Sequence, residues 1–343
     1  MAEQSKISWT DSTVNFWEGC AKVSAGCANC YAAARDARQL IEKVSHWGKG
    51  APRRKSKSSV KDAPAMNRKP IICDHCGTAQ RGAVTMAEGC ENPDCPSNLH
   101  EHIQGSYHRR RIFSLSLGDW LDDEVPIEWL VEMLDTIRQC DQVTWILCTK
   151  RPHLFWTRTE LAQDYDFDHG KRELCGWLRD WRQRTAIPAN IILLTSVENQ
   201  EAADRRIPEL LKIPAACHGL SLEPLLGPVN VAPFILSDRD KAGFDNQFLE
   251  PLEGFNDLKI KWCIAGGESG SNARPCEIDW LKTIVMDCAE YGCACFIKQL
   301  GAAPIEPDPE HDWRPVPNIR DKKGGDPAEW PAHLRVQEWP KGF

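Results

Sequence analysis

The sequence predicts an α/β protein whose central element is a partial, TIM-like (β/α) barrel. Short apolar runs alternate along the chain with amphipathic segments, a pattern typical of a parallel sheet covered by helices. A polar or charged residue follows nearly every apolar run. Because barrel active sites form at the carboxyl ends of the strands, this arrangement favours a barrel over a doubly wound sheet, which fits the alternation as well.

Seven short apolar runs are predicted as strands: Val14–Trp17, Arg111–Leu117, Val143–Cys148, Asn190–Thr195, Cys217–Leu222, Lys261–Ala265 and Cys293–Ile297. Helices are predicted at Ala32–Glu42, Pro126–Gln139 and Asp279–Tyr291. The second helix has proline in its first turn. The third takes Asp279 as its N-cap and ends at Gly292.

The chain divides into four predicted regions. Residues 1–45 begin the barrel, 46–110 form an insertion, 111–301 complete the barrel, and 302–343 form a proline-rich tail that packs on it. Within the insertion, the run from Lys49 to Lys69 holds eight basic residues and one acidic residue. Gly, Pro and Ser lie between them, so this run predicts an exposed, poorly ordered loop.

Composition limits the class of protein. The net charge is −7 and the pI is about 5.8, so any contact with nucleic acid must come from a local patch. The opening residues MAEQSKISWTDS do not form a charged-then-apolar leader, and no apolar run approaches the length of a membrane span. We therefore expect a cytoplasmic protein without a membrane partner, whose sixteen cysteines serve metals, clusters or the core.

The first cysteine set has the spacing C-x6-C-x2-C, and Tyr31 follows its last member directly; it comprises Cys20, Cys27 and Cys30. Turn-forming residues between the cysteines let several sulfurs converge. Three thiolates are one short of a closed zinc or iron–sulfur site. They would leave one iron of a 4Fe–4S cluster open to a substrate or cosubstrate. The alternative is a zinc site with its fourth ligand elsewhere.

The second cysteine set lies in the insertion. It consists of two pairs, C-x2-C and C-x4-C, separated by thirteen residues: Cys73, Cys76, Cys90 and Cys95. This spacing predicts a small zinc-ribbon-like module. Histidines nearby are candidate substitutes for one ligand: His100, His102 and His108. The alternatives are a second iron–sulfur cluster and free thiols.

Polar residues at the ends of six consecutive strands predict one shared site: Gly118, Asp119, Lys150, Arg151, Ser196, Glu198, Asn199, Ser221, Glu223, Gly266, Gly267, Glu268, Lys298 and Gln299. Pairing of such residues with glycines is hard to explain by packing alone. Each residue by itself has a simpler alternative. Asp119, or Glu198 with Asn199, would cap the helix that follows, and Lys150 or Arg151 would be an ordinary surface cation.

The cysteine loop with Tyr31 directly after it resembles that of the radical S-adenosylmethionine (SAM) superfamily, whose usual motif is C-x3-C-x2-C. Outside residues 46–110 the chain closely resembles a phage-encoded and bacterial family of unknown role that carries a three-cysteine motif. The resemblance rests on the segments SKISWTDSTVNFWEGC, GCANCYA, CTKRP, SVENQEAADRRIP, SLEPLLGPV, GGESGSNARP and FIKQLG. It implies a partial barrel of the radical SAM type.

The resemblance also implies roles for individual residues. Cys20, Cys27 and Cys30 match the ligands of a 4Fe–4S cluster whose open iron binds SAM. Asp119 stands where the methionine amine is held, and Lys150 or Arg151 would meet the SAM carboxylate. The remaining predicted cofactor contacts lie after later strands. Ser196, Glu198 and Asn199 stand at the ribose position, Gly267 and Glu268 face adenine or substrate, and Glu223 is a further predicted contact.

The function implied is reductive cleavage of SAM to a 5′-deoxyadenosyl radical, with an electron donor such as flavodoxin or ferredoxin. The phage association suggests that the enzyme modifies or rearranges a nucleic-acid base, for example a hypermodified thymidine in phage DNA, or a modified nucleoside. The basic insertion and the zinc module fit a polynucleotide. The alternatives are repair of a thymine photoproduct, a radical reaction on a small molecule or peptide, and a non-catalytic zinc and iron–sulfur protein that binds nucleic acid.

Overall fold

The computed structural model describes residues 5–38, 44–81, 90–99, 107–170, 172–236 and 259–343. Its centre is a seven-stranded sheet, parallel throughout and curled into a half-barrel. The strands follow chain order across the sheet: β1 (Ser12–Val14), β2 (Arg111–Ser114), β3 (Thr144–Thr149), β4 (Ile191–Ser196), β5 (Cys217–Leu222), β6 (Ile260–Gly266) and β7 (Ala294–Gln299). Within the described residues β1 and β7 do not pair, so the sheet is open, and the architecture is compatible with the predicted partial barrel.

Helices of eight or more residues accompany the sheet: α1 (Tyr31–Arg38), α2 (Ser59–Asn67), α3 (Ile127–Gln139), α4 (Phe155–Asp168), α5 (Arg172–Arg182), α6 (Gln200–Lys212) and α7 (Ile278–Tyr291). Two four-residue helices lie at Pro96–Leu99 and Ala232–Ile235. None of the helices in the described part of the chain has the length and apolar character needed to cross a membrane.

Three further small sheets surround the half-barrel. One pairs Trp17–Glu18 with Arg54–Lys55. The second joins Ile71–Cys73 to Ala79–Gln80 and Tyr107–Arg109. The third joins Cys276–Glu277, Pro304–Asp308 and Asp312–Pro315.

Two predicted strands differ from the structure by more than two residues at one end, and the others agree to within two residues at each end. The first strand is Ser12–Val14 rather than Val14–Trp17, because Trp17 and Glu18 leave the main sheet to pair with another segment. The second ends at Ser114 instead of Leu117, since Leu115 adopts a φ of +62° that cannot continue a strand.

The ends of two predicted helices need comment as well. The residue that caps α7 is Glu277, so the prediction of Asp279 as N-cap is wrong; Asp279 lies in the first turn, where its charge favours the helix N-terminus. Gly292 ends α7 with a φ of +68°, as predicted. The first predicted helix is described only as Tyr31–Arg38, and its continuation lies outside the described residues. So do residues 237–258, between β5 and β6.

The two faces of the sheet bury different residues. On β4, Ile191 and Leu193 pack in the core shared with the helices, whereas Ile192 and Leu194 face the concave side. The concave side also holds aromatic residues from the strands and both chain ends: Trp9, Phe113, Trp262, Phe296 and Trp339. Apolar side chains therefore fill the concave side of the sheet. The polar residues at the carboxyl ends of the strands form a separate layer.

The basic segment at residues 49–69 is ordered, so the prediction of an exposed, poorly ordered loop is wrong. Helix α2 packs against α3 and buries Ala63 and Met66. Arg53 is buried and pairs with Asp122 and Glu124, in each case at 2.8 Å. Its neighbours pair in the same way, Arg54 with Glu18 and Lys55 with Glu132. Three of the eight cations in this segment are therefore paired with acids that lie elsewhere in the sequence.

Candidate functional site

The three-cysteine loop follows β1 and lies against the carboxyl ends of the strands. The Gly19 amide donates a hydrogen bond to the Leu117 carbonyl at 3.0 Å, and Gly19 forms a parallel bridge with Gly118. Gly19 has a φ of +111°, and a Cβ there would lie 2.3 Å from the His46 carbonyl oxygen, so the position requires glycine. The loop thereby carries three partly exposed thiols to the strand ends: Cys20, Cys27 and Cys30.

Arg151, directly after β3, contacts the first cysteine of this loop. Its Nη1 lies 3.5 Å from the Cys20 sulfur, and its Nη2 donates to the Ala21 carbonyl at 3.0 Å. Burial raises the pKa of Cys20 to about 12; the Asp119 carboxylate acts in the same direction and Arg151 in the opposite one. Arg151 is thus a group that favours the thiolate form of Cys20, the form that binds metals.

Asp119 is buried, and four hydrogen bonds from within the chain occupy its carboxylate. One oxygen accepts from the Thr149 hydroxyl at 2.7 Å and the Leu121 amide at 3.0 Å. The other accepts from the Lys150 amide at 2.9 Å and from Arg151 Nη1 at 3.0 Å. With its lone pairs used in this way, Asp119 positions Arg151 beside Cys20. Its predicted contact with an amine of a cosubstrate remains a prediction.

Glu198 is also buried and lies directly under the cysteine loop. It forms an ion pair with Arg206 at 2.7 Å, and a Cβ added to Gly26 would lie 3.2 Å from its carboxylate. Burial raises the pKa of Glu198, but hydrogen bonds from Arg206 and Ser24 outweigh burial, so its pKa is lowered. Glu198 is therefore ionised, and it joins the loop to α6.

Two neighbours of Glu198 are engaged within the chain. The Asn199 side chain accepts from the Ala202 amide at 2.9 Å and caps α6, as one alternative interpretation of the sequence had it. The Ser196 carbonyl accepts from Arg206 at 2.7 Å, and the Ser196 hydroxyl lies 3.4 Å from the Cys148 sulfur.

Glu268, which follows β6, supports the opposite end of the cysteine loop. Its carboxylate accepts from Arg274 at 2.6 Å and from the Asn29 side chain at 2.9 Å. Arg274 in turn donates to the Ala25 carbonyl at 2.9 Å. Burial raises the pKa of Glu268, yet the hydrogen bonds from Arg274 and Asn29 and the Arg274 charge lower it to about 2. Glu268 and Arg274 thus hold the cysteine loop at two residues, Asn29 and Ala25.

Gly267 is required for close packing. A Cβ there would lie 2.2 Å from the Leu300 carbonyl oxygen and 2.9 Å from the Cys276 Cβ. The position therefore excludes any side chain whether or not a ligand binds next to it.

Three charged residues at the strand ends do not hold the loop. Glu223 pairs with Lys298 at 2.8 Å, and both side chains are partly accessible. The Lys150 charge acts on Glu198 and on Cys148, which places it between β3 and β4. Glu223 also acts electrostatically on Tyr31, the residue after the last loop cysteine. These three residues offer charge of both signs beside the three thiols.

The sequence analysis missed the partners that hold the loop, namely Arg206, Arg274 and Asn29. A usable signal was present for the two arginines, because a carboxylate buried at a strand end needs a nearby cation. Arg206 lies two turns along the helix that Asn199 caps, and Arg274 lies six residues after Glu268. Arg151 was named only as an alternative to Lys150, although it is the one that reaches Cys20.

The second cysteine set converges in space. The sulfurs of Cys73 and Cys95 are 3.7 Å apart, those of Cys76 and Cys90 are 3.5 Å apart, and all four lie within 4.8 Å of one another. Around one zinc ion with bonds of about 2.3 Å, sulfurs stand about 3.8 Å apart. These four thiols can therefore hold a metal ion. Asn98 braces the group, because its side chain bonds to both backbone groups of Cys90.

His108, a candidate substitute ligand, faces away from these thiols. It bonds to Asp74 and, at 3.1 Å, to Asp11. The other two candidates, His100 and His102, lie outside the described residues. A third group of thiols, which the sequence analysis did not single out, consists of Cys263, Cys288 and Cys293 and can also hold a metal ion.

One family model matches the chain over residues 4–325, and its description is that of a protein of unknown function, DUF5131. The chain therefore belongs to the DUF5131 family. Comparisons with curated proteins and with solved structures found no match. The matched span contains the half-barrel, all three groups of cysteines and every residue at the strand ends, so these features lie within the family domain.

Proposed function

We propose that this protein is a radical SAM enzyme whose active site lies at the carboxyl ends of the half-barrel strands. The observation that carries the proposal is the position of the three-cysteine loop. Residues that follow β2, β3, β4 and β6 hold it there, directly or through a neighbour: Asp119, Arg151, Glu198 and Glu268. A loop used only for folding does not need three accessible thiols at the usual place of a barrel active site.

The loop thiols fit an iron–sulfur cluster better than a single zinc ion. Among the described residues, two groups of cysteines have all their sulfurs within 4.8 Å of one another: the second cysteine set, and Cys263 with Cys288 and Cys293. The loop cysteines do not form such a group, so at least one pair among Cys20, Cys27 and Cys30 stands farther apart. Thiolates bound to different irons of one cluster are more widely spaced than thiolates that share one ion. A 4Fe–4S cluster bound by these cysteines supplies, with SAM, the radical chemistry.

The residues around the loop have two roles in this proposal. Arg151, Glu198 and Glu268 orient the loop through buried hydrogen bonds, and Arg151 adds positive charge beside Cys20. Lys150 would meet the carboxylate of the methionine part of SAM, and Glu223, which pairs with Lys298, would meet its ammonium group. The apolar filling of the concave side excludes water beneath this layer.

The substrate we propose is a nucleic-acid base or a modified nucleoside, such as a hypermodified thymidine. The family resemblance and the proposed zinc ion at Cys73, Cys76, Cys90 and Cys95 support it. The second candidate is a small molecule or peptide, and a specific observation favours it. Arg53, Arg54 and Lys55 each pair with a carboxylate, so this segment has fewer free cations for phosphates than its sequence indicates.

The decisive experiment is anaerobic purification and reconstitution, followed by metal analysis and an assay for 5′-deoxyadenosine with SAM and a strong reductant. We expect about four irons per chain in addition to zinc. Cys27→Ala should lose the iron and the product but keep the zinc. The matched control is Cys175→Ala, a partly exposed cysteine on α5 that should change neither. Zinc in the loop and no iron after reconstitution would exclude the radical proposal.

A salt series distinguishes the two substrate candidates. If the protein binds a DNA oligonucleotide through phosphates, the logarithm of its affinity should fall linearly with the logarithm of salt concentration, by about 0.9 per duplex contact. If the affinity for DNA does not change with salt concentration while 5′-deoxyadenosine is still formed, the small-molecule candidate is favoured.

A further inference from the structure

Three buried thiols from separate elements meet between the sheet and helix α7. Cys263 lies on β6, Cys288 in the last turn of α7, and Cys293 between the end of α7 and β7. All three are buried, and their sulfurs lie within 4.8 Å of one another. The Cys263 and Cys293 sulfurs are 3.9 Å apart. Cys293 lies directly before β7, at the amino end of that strand. The candidate active site, in contrast, lies after the carboxyl ends of the strands.

A buried cysteine often serves only as a small hydrophobic residue. Cys140 shows that use in this chain: it is buried after α3, and the charged groups that act on it are Asp141 and Arg68. The α7 group differs because its thiols face one another. Side chains chosen for hydrophobic packing alone would more often be Val, Ala or Leu, and three independent elements would not each supply sulfur to one point.

We propose that Cys263, Cys288 and Cys293 form a three-thiolate site for a thiophilic d10 metal ion, Zn²⁺ or Cu⁺. Metal–sulfur bonds of about 2.3 Å place sulfurs about 4.0 Å apart in a trigonal site and about 3.8 Å apart in a tetrahedral one. The 3.9 Å separation of Cys263 and Cys293 fits both. The group consists of thiols only, and hard cations such as Mg²⁺ and Ca²⁺ prefer oxygen ligands.

Charge and geometry point to different ions. Three thiolates with Zn²⁺ leave one net negative charge, whereas three with Cu⁺ or four with Zn²⁺ leave two, so burial favours Zn²⁺ only at a three-thiolate site. Zn²⁺ prefers four ligands, however, and the buried position leaves little access for water. Cys295 is a candidate fourth ligand, since its thiol interacts with that of Cys288, but it lies outside the group whose sulfurs are all within 4.8 Å. A tetrahedral Zn²⁺ site therefore needs Cys295, and a trigonal Cu⁺ site does not.

The site would join the last helix and the last two strands of the half-barrel. Cys263 and Cys295 are direct neighbours across β6 and β7, and the Cys295 carbonyl accepts from the Glu338 amide of the tail at 2.8 Å. A metal ion bound there would tie α7 to both strands at the place where the tail packs. Its role would then be structural and independent of the reaction at the strand ends.

The test is native mass spectrometry of the full-length protein after metal removal and separate loading with Zn²⁺ alone or with Cu⁺ alone under reducing conditions. Besides any ion held by the three loop cysteines, the wild-type chain should bind two ions of at least one kind, one at Cys73, Cys76, Cys90 and Cys95 and one at the α7 group. Cys288→Ser and Cys76→Ser should each lose one ion, and the matched control Cys140→Ser should lose none. Loss of the ion in Cys295→Ser would identify tetrahedral Zn²⁺, and its retention would identify the three-thiolate site.

The proposal is overturned if the wild-type chain binds only one ion in the Zn²⁺ experiment and only one in the Cu⁺ experiment, and Cys76→Ser abolishes that binding. It is also overturned if folded Cys288→Ser, judged by its circular dichroism, binds as many ions as the wild type. If Cys288→Ser fails to fold, the numbers of metal ions bound by Cys293→Ala and by the wild-type chain still decide whether the α7 group binds a metal.

Discussion

At the scale of single residues, the strand-end side chains act mainly on the cysteine loop. Glu198 and Glu268 are buried carboxylates, and each has an arginine partner at 2.7 Å or less. An unpaired buried charge is costly, so each carboxylate and its arginine form one unit. Substitution of these residues should therefore disturb the loop before it disturbs any bound ligand.

Gly267→Ala should destabilise the fold by about 1–3 kcal/mol, because overpacking a closed interior has a cost of that order. The new Cβ would lie 2.2 Å from the Leu300 carbonyl oxygen. The matched control is Gly176→Ala on α5, where a Cβ meets nothing within 4 Å. That change should stabilise the protein by up to about 1 kcal/mol. Denaturant unfolding measures both, and equal stability of the two variants would contradict the prediction.

The stabilising effect of Glu268 should depend on pH. Its pKa is about 2 in the folded protein against the ordinary 4.5, because its hydrogen bonds to Arg274 and Asn29 outweigh burial. A depressed carboxyl pKa contributes stability above the ordinary pKa that is lost as pH falls toward the folded value. The difference in unfolding free energy between the wild type and Glu268→Gln should therefore shrink between pH 4.5 and pH 2. A difference that stays constant over this range would show that the Glu268 charge does not stabilise the fold.

At the scale of elements, the segment between the cysteine loop and the second cysteine set is a brace. Arg53 lies on the inner side of this segment and reaches across to the loop between β2 and α3, where it pairs with Asp122. Helix α2 then covers α3. The ion pair and the helix contact together attach the segment to the half-barrel at two places.

Arg53→Ala should cost about 3–5 kcal/mol, because it removes the cation that contacts the buried Asp122 carboxylate at 2.8 Å and leaves only Arg151, at 3.8 Å. The matched control is Lys57→Ala, which removes an exposed cation from the same segment and should change stability by less than about 0.5 kcal/mol. Thermal and denaturant unfolding of both variants measure the difference. If the two substitutions had the same effect, Arg53 would be a surface cation.

At the scale of the whole molecule, the tail completes the packing of the half-barrel. Trp339 packs against Phe296 with ring centroids 5.0 Å apart, and its indole donates to the Trp9 carbonyl at 3.2 Å. Trp330 is fully buried and donates to the Gly324 carbonyl at 2.8 Å. Both chain ends therefore contribute to the interior of one unit.

Trp330→Ala should destabilise the whole protein by about 3–5 kcal/mol, because it removes a large buried side chain and leaves a cavity. Trp313→Ala is the matched control in the same tail, since Trp313 is 43% exposed. Its cost should be below about 0.5 kcal/mol. Hydrogen exchange followed along the chain should show lower protection of β7 in Trp330→Ala. Unchanged protection there would mean that the tail packs independently of the half-barrel.

Local patterns in the sequence determined the parallel strands, because alternation of apolar and amphipathic segments depends on near neighbours. Strand β5, Cys217–Leu222, has the predicted ends, and the four cysteines Cys73, Cys76, Cys90 and Cys95 converge as their spacing indicates. The strand-end polar residues could likewise be found from their positions after the strands.

Only the tertiary structure decided which partner each polar or thiol group meets. Asp119 is saturated by residues up to 32 positions away, and Arg53 meets an acid 69 positions away. Cys263 and Cys293 meet across 30 positions. Such pairings depend on how the strands and helices pack, and a local pattern carries no information about them. For this reason the sequence could indicate where the candidate site lies, while the fold decided which of its residues hold the cysteine loop.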